Sequence, residues 1–328
     1  MRTLRSGWLR RNSILLIAAF AAAAVAQQPA PDEMPQEMVW IDRAGKVLGR
    51  AGAVQKSMFF PEISPDGKLA AVSARDGEAN DRDIWIHDLA AGTKRVVAPA
   101  KGNDNFPIWS SDGKQLIFTS SRSGEYELYR KDLDPDRPEV LIHRKAGAQY
   151  PRSWSQSSKW LLFTHAEMKR DVLLWQLGDA EAAPIDLFGG LDGTAWTECA
   201  RFSPNGLYIA YVSNAEGPFE VYVAATREPS RRRFKVSRIL SNGWAGGGGQ
   251  VRWRADGKEL YYMLGNDTMM SVEVNTEGEF RHQAPKRLFA VPGMKGNFPE
   301  ESPWVPKYDV AADGSKFLFV RKAAAEAR

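Results

Sequence analysis

A short turn signature recurs along this chain at a spacing that few architectures can use. It reads Ser64-Pro65-Asp66-Gly67, Ser110-Ser111-Asp112-Gly113, Ser203-Pro204-Asn205-Gly206, Arg254-Ala255-Asp256-Gly257 and Ala311-Ala312-Asp313-Gly314, with a degenerate copy at Ser155-Gln156-Ser157-Ser158. Taking the last residue of each as an anchor, the steps are 46, 45, 48, 51 and 57 residues. Such a period belongs to arrays of supersecondary units that bury their apolar faces only against one another. The turn chemistry is that of a bulged hairpin. Pro presets φ, Asp or Asn tolerates the next position, and Gly takes the left-handed residue. Ser158 stands where the other copies have Gly, so the pattern predicts a mildly strained serine.

The flanks identify strands. Four residues before the anchors stand Ile63, Trp109, Trp154, Phe202, Trp253 and Val310. Three after them stand Ala70, Leu116, Leu161, Ile209, Leu260 and Phe317, and five after them Val72, Phe118, Phe163, Tyr211, Tyr262 and Phe319. This period of two is that of a β-strand, not a helix. A third strand follows in most units (Ile84-Trp85, Leu128-Tyr129, Val221-Tyr222, more loosely Val172 to Leu174), and a fourth closes each (Arg95 to Val97, Val140 to Ile142). The expectation is an all-β fold, a six-bladed β-propeller of four-stranded antiparallel blades.

The last unit lacks its outer half, because the chain ends soon after Val320. The segment VWIDRAGKVLG at 39–49 looks like that missing half, with Trp40 standing where Trp85, Tyr129 and Tyr222 stand. The N-terminal strands are therefore expected to pair with the C-terminal strands and close a ring. A ring leaves only short protected edges, whereas an open solenoid would cap its ends.

The N-terminus reads as an export signal. Arg2, Arg5, Arg10 and Arg11 precede an apolar stretch that ends in Ala24-Val25-Ala26. The stretch is shorter than the ~20 residues of a spanning helix and ends in a small-x-small cleavage signature. The expected organisation is a signal peptide at 1–26, a disordered linker at 27–37, the propeller at 38–322 and a tail at 323–328. Export implies a periplasmic or secreted bacterial protein with no stable membrane span after cleavage. The basic balance belongs to the signal. The chain holds 44 Lys+Arg against 40 Asp+Glu, and the first 26 residues hold four Arg and no acid, which leaves 40 against 40. A neutral mature chain gives no support to nucleic-acid binding. Arg231-Arg232-Arg233, the one basic cluster, suits a charged edge strand or its loop. Cys199 is the only cysteine, so no internal disulfide can form, and a buried apolar role is expected of it.

With the repeat in place, S-x-D-G-K followed by two alternating strands and a D-[IL]-[WY] strand resembles the WD40-like repeat of TolB-type propellers. FPIWSSDGKQLIFTSSRSGEYELYRKDL, from Phe106 onward, carries it best. The likeness covers about 38–320. VWIDRAGKVLG and QVRWRADGKELYYM are similar in style to the propellers fused to bacterial membrane serine/threonine kinases. The resemblance does not extend to the N-terminal α/β domain of TolB, to a kinase domain, or to the hydrolase domain that such a propeller gates in prolyl-oligopeptidase relatives.

Few residues suggest chemistry. There is no G-x-S-x-G elbow. His87, His143, His165 and His282 lack a second ligand at metal spacing and read as surface or satisfied strand histidines. Gly246 to Gly249 precede a strand rather than a helix, so they read as an inter-blade loop and not a phosphate cradle. Asp76, Glu78, Asn80 and Asp81 form a weak calcium candidate that competes with a solvated turn. Long loops entering the later blades carry Trp196, Trp244 and Trp304, with Phe106 and Tyr150 at corresponding entries. Rings at a concave mouth offer contact surface, or else fill gaps between blades. At the inner-strand starts stand Glu62, Arg152, Glu198, Arg201, Arg252, Lys307 and Asp309, a mixed set expected to line a polar, water-filled channel. No cofactor is expected. The leading expectation is a non-catalytic, monomeric scaffold or sensor that binds a protein or peptide in the cell envelope, with Trp196, Trp244, Trp304, Phe106, Tyr150, Arg201 and Arg252 as partner-binding candidates. The alternative is a propeller hydrolase or lyase with its site in the central channel.

Overall fold

The structure, a computed structural model, describes residues 34–76, 81–166, 170–179, 182–189, 195–229, 231–237, 248–265, 267–292 and 307–323. Among these residues the regular structure is entirely β, and the strands pair antiparallel. Strands β6 (Asp104–Trp109), β7 (Gln115–Ser120), β8 (Glu127–Asp132) and β9 (Val140–His143) form one four-stranded sheet in chain order. So do β10 (Ala148–Trp154), β11 (Trp160–Ala166), β12 (Arg170–Gln176) and β13 (Ile185–Asp186), and likewise β14 (Thr197–Phe202), β15 (Tyr208–Ser213), β16 (Glu220–Ala225) and β17 (Arg233–Lys235). In the next sheet β18 (Gly248–Trp253), β19 (Glu259–Leu264) and β20 (Thr268–Asn275) are followed by β21 (Arg281–His282) and β22 (Lys286–Ala290), both paired to β20.

The fifth sheet joins the two ends of the chain. Its order is β23 (Tyr308–Val310), β24 (Lys316–Lys322), β1 (Pro35–Asp42), β2 (Val47–Ile63), β3 (Leu69–Arg75), β4 (Asp83–Asp88) and β5 (Lys94–Val96). β2 is 17 residues long and serves two quartets. Its first part pairs with β1 from Val47 to Lys56, and its second part pairs with β3 from Lys56 to Ile63. Trp40 lies opposite Leu318 and Ile41 opposite Phe317, as the half-unit argument requires.

The turns follow their chemistry. Gly67, Gly113, Gly206, Gly257 and Gly314 have φ between 69° and 73°, and Ser158 has φ 55°. In each copy the anchor amide donates to the carbonyl three residues earlier, for example Gly67 to Ser64 at 2.8 Å and Ser158 to Ser155 at 2.8 Å. Asp66, Asp112, Asn205 and Asp256 each accept the amide two residues on, which fixes the turn.

The residues three and five positions past the anchors are all buried. They pack between neighbouring sheets rather than within one. Tyr262 and Leu260 meet Val221 and Val223, while Phe317 and Phe319 meet Tyr261 and Phe289. Each apolar cluster joins one quartet to the next, and the series returns to Met38 and Leu318. The outer strands are short, and some are charged. Arg233 in β17 pairs with Glu216, and Arg231 and Arg232 with Glu228 and Glu279, so the basic cluster is an ion-paired edge.

Two expected boundaries move. The linker does not run to 37, because β1 begins at Pro35 and buries Gln36 and Glu37. Gln36 accepts the Met58 amide through Oε1, and Glu37 binds Arg50 and Arg321, so these polar side chains have partners inside the sheet. Gly248 and Gly249 belong to β18, opposite Leu264 and Met263, rather than to a loop.

Candidate functional site

The first strand of most units carries a bulge that decides what the channel contains. Phe60, Phe106, Cys199 and Gln250, each seven residues before its anchor, have φ between 54° and 58°. Register shifts fall at Phe59/Glu62, Asn105/Ile108, Glu198/Arg201 and Gly249/Arg252. Pro151 holds the same position in the third unit, where the ring of proline forbids positive φ, and the shift there falls at Pro151/Ser153. Two residues beyond the bulge stand Glu62, Ile108, Ser153, Arg201, Arg252 and Asp309, which all border one cavity.

Four of these side chains bind one another across the channel. Arg252 donates through Nε to Asp309 Oδ1 at 2.9 Å and through Nη2 to Glu62 Oε1 at 3.3 Å, and through Nη1 to the Val251 carbonyl at 3.0 Å. Arg201 donates through Nη2 to the same Glu62 oxygen. Asp309 Oδ2 accepts the Ile63 amide at 2.7 Å. The backbone around them is held by neighbouring indoles. Trp109 Nε1 donates to the Glu62 carbonyl at 2.8 Å, and Trp253 Nε1 to the Arg201 carbonyl at 3.1 Å. Burial opposes the Arg252 charge, but Glu62 and Asp309 outweigh it and hold that guanidinium above its usual range. Burial and the nearby Arg252 charge pull Arg201 the other way. Burial, with the Glu62 charge, pushes the Asp309 carboxyl up. At this level the channel holds a self-paired set of charges, because the bulges aim opposite charges at each other.

On the turn side of these charges lies a cavity of about 410 Å³, open to solvent. Trp109, Trp154, Phe202 and Trp253 stand in its wall, with Pro65 and Pro204 toward the rim. On the other side the channel narrows to a small space bounded by Phe60, Phe106, Arg152 and Cys199. Phe60 stacks on Phe106 at 3.8 Å between centroids, and Phe106 meets Tyr150 at 4.8 Å. Arg152 lies 4.8 Å over the Phe106 ring and pairs with buried Glu198 at 2.5 Å.

The structure separates the sequence-derived candidates. Phe106 and Tyr150 come together, and Arg201 and Arg252 meet at Glu62. Trp196 is half-buried and packs against the apolar cluster that includes Cys199 and Val251, so it fills a gap between sheets. Trp244 and Trp304 lie outside the described residues, as do Glu78 and Asn80 of the calcium candidate. Asp76 pairs with Lys94 at 2.8 Å, and Asp81 accepts the Gly102 amide at 3.0 Å, so the two turn to different partners. No group of three His, Cys, Asp or Glu that could hold a metal occurs among the described residues. His87 is buried, with Nε2 2.9 Å from Gln55 Oε1 and Nδ1 accepting the Ala53 amide at 3.2 Å. Cys199 is buried, and burial raises its thiol pKa. The residues that sequence reasoning passed over are Phe60, which completes the aromatic stack, and the wall tryptophans Trp109, Trp154 and Trp253, which it read only as strand markers.

Residues 39–185 match the family described as TolB beta propeller domain. An uncharacterized protein of Agrobacterium fabrum is 28% identical over 159 residues, which is 45% of this chain and 52% of that protein. The Tol-Pal system protein TolB of Alcanivorax borkumensis is 33% identical over 94 residues, 28% of this chain and 21% of its own length. The chain therefore spans about half the length of the first of these relatives and a fifth of the second. In three dimensions it is similar to the putative TolB from Agrobacterium tumefaciens, with a TM-score of 0.64 and 16% identity, covering 89% of this chain and 99% of that one. TolB from Acinetobacter baumannii aligns with a TM-score of 0.55 and 19% identity, over 79% of this chain and 65% of that one. Taken with the turn repeat and the paired chain ends, these likenesses give the chain a β-propeller fold similar to that of the TolB propellers, with residues 39–185 matching that family directly.

Proposed function

We propose that this protein is an exported, six-bladed TolB-like propeller that recognises a protein or peptide in the cell envelope through its turn-side funnel and performs no chemistry of its own. The blade count rests on the quartets, with β2 serving both the first and the last. The observation that carries the functional reading is the state of the floor: Glu62 and Asp309 are both held by guanidinium groups. A general base must reach a substrate proton, and these carboxylates are turned to protein partners, the guanidinium groups of Arg201 and Arg252 and, for Asp309, the Ile63 amide. What remains is a concave, aromatic-walled surface with a fixed polar floor, which suits recognition. The N-terminal residues support export, with cleavage after Ala26, and the neutral mature charge argues against nucleic acid as the partner. The relatives bearing the TolB name are consistent with an envelope role.

Fractionation of the native host with mass spectrometry of the mature N-terminus tests the export part. The expected result is a periplasmic or secreted chain beginning at Gln27. Crosslinking in intact cells followed by affinity capture tests the recognition part, and a specific envelope protein recovered in stoichiometric yield is expected. Stoichiometric divalent metal in the purified protein, together with hydrolase or lyase turnover, would instead establish the enzyme alternative.

A further inference from the structure

One floor group of the funnel is less committed than the others, and we infer that it is a receptor for a carboxylate: Arg201 takes the C-terminal carboxylate of an extended peptide or the acidic side chain of a loop tip. The inference rests on the reading of the funnel as the recognition surface and names the chemistry that surface selects.

The argument begins with the two arginines. Arg252 spends all three of its nitrogens, on Asp309, Val251 and Glu62. Arg201 spends only Nη2, on Glu62, and its Nε and Nη1 have no hydrogen-bond partner among the described residues. Its side chain keeps 16% of its surface, against 5% for Arg252, and it borders the cavity. Two guanidinium groups share one Glu62 oxygen, so Arg201 is only partly neutralised. A guanidinium with unspent N–H donors at the bottom of a cleft binds an anion by charge-assisted hydrogen bonds.

The shape sets the form of the anion. The funnel does not continue as an open tube, because the stacked Phe60 and Phe106 rings and Arg152 lie beyond the floor. With the floor charges paired across the channel and only a small space beyond them among the described residues, a chain enters the funnel by an end or by a loop tip. At about 410 Å³ the cavity falls in the ~300–1,000 Å³ range of small-ligand clefts, room for a few residues. The wall offers half-buried Trp154 and Phe202 to apolar parts of the peptide, with the buried Trp109 and Trp253 behind them. The turn hydroxyls of Ser64, Ser110 and Ser203 are already donated to Asp66, Asp112 and Asn205. Arg201 is therefore the cationic group with unspent donors at the end of the path.

The test uses the mature chain and three arrays of the same tetrapeptides. One array has free C-termini and no acidic residues, one is the same series amidated, and one is the amidated series with an Asp or Glu substituted internally. Binding to the first or third array, absent from the second and about tenfold or more weaker for Arg201→Gln, is the expected result. The first array alone would assign a chain terminus, and the third an acidic side chain. Because Arg201→Gln also removes a floor pair, the Arg201 Nε–H resonance of the unaltered protein is followed as well. It should shift with a binding peptide and stay in place with the amidated, acid-free form. Equal binding to all three arrays would overturn the carboxylate receptor while leaving peptide recognition standing. No binding to any array, with no resonance shift, would overturn both.

Discussion

Trp40 and Leu318 face each other in an antiparallel pair that joins the first strand of the chain to the last. Both ends of the protein thus share one sheet, and the ring is closed by hydrogen bonds rather than by a covalent link. Phe317 and Ile41, the adjacent pair, are fully buried, and Phe317 packs edge-on to Tyr261 at 5.1 Å and to Phe289 at 5.5 Å. Phe317→Ala is expected to cost about 3–5 kcal/mol, and Ile41→Ala about 2–5 kcal/mol. Urea unfolding measures both. If either variant lost less than about 1 kcal/mol, the seam would not be holding the ring.

The turn anchors differ in what surrounds them. Gly67 and Gly314 have nearly the same φ, 73° and 69°, but a Cβ on Gly67 would meet nothing, whereas one on Gly314 would collide with the Tyr261 hydroxyl and lie 2.7 Å from Arg254 Cδ. Gly67→Ala should lose only the left-handed backbone cost, about 1–2 kcal/mol. Gly314→Ala should lose more, because it also displaces the Arg43–Glu259–Tyr261 hydrogen bonds. Ser158→Gly should run the other way and stabilise by up to about 1 kcal/mol, reduced by the loss of the Ser111 hydroxyl contact at 3.0 Å. Thermal unfolding of the three variants ranks them.

Removing the shared floor carboxylate should be costly. Glu62→Gln leaves the Arg201 and Arg252 guanidinium groups facing one another with Asp309 alone to offset them. Breaking a buried pair from one side costs about 3–5 kcal/mol, while removing a guanidinium together with the carboxylate costs less. A double-mutant cycle between Glu62→Gln and Arg201→Gln should therefore show favourable coupling. An additive cycle would show that the two side chains do not interact.

His87 gives a pH signature. Burial holds its imidazole down to about 4 from an ordinary 6.5, with the Lys94 charge acting in the same direction. The unfolded chain then binds the proton first, so stability contributed by His87 is complete above pH 6.5 and is lost as pH falls toward 4. The loss over that window is about 3 kcal/mol. Asp104 has the opposite effect, since burial pushes its carboxyl up to about 7. The readout is accordingly the difference in unfolding free energy between the wild type and His87→Gln at each pH, in which Asp104 cancels. That difference should shrink on acidification, and a difference constant from pH 7 to 4 would contradict the burial effect.

The sheet order could be read from the sequence because the repeat fixes it. Three apolar offsets around each anchor define the inner hairpin, and Trp40 falls in the phase of Trp85, Tyr129 and Tyr222. The channel could be read only in composition. Glu62, Arg201, Arg252 and Asp309 were recognisable as inner-strand residues, but their pairing depends on bulges at Phe60, Cys199 and Gln250. None of these residues is a glycine, and nothing in their side chains announces positive φ. A one-residue bulge changes which face a side chain takes, so the mutual pairing of the charges lay below the resolution of a pattern. The same bulges put Phe60 against Phe106 on one side of the floor and left Trp109, Trp154 and Trp253 on the other, so the turn mouth is a candidate surface that the pattern did not show.

Site-specific photocrosslinking in living cells tests the central claim most directly. A benzophenone side chain placed at Ser111 or Pro204, on the turn-side rim, should capture a discrete envelope partner, and one placed at Tyr126, near Tyr150 on the opposite mouth, should not. Capture of that partner from Tyr126 and not from the rim positions would contradict the account and return the recognition surface to the loop mouth.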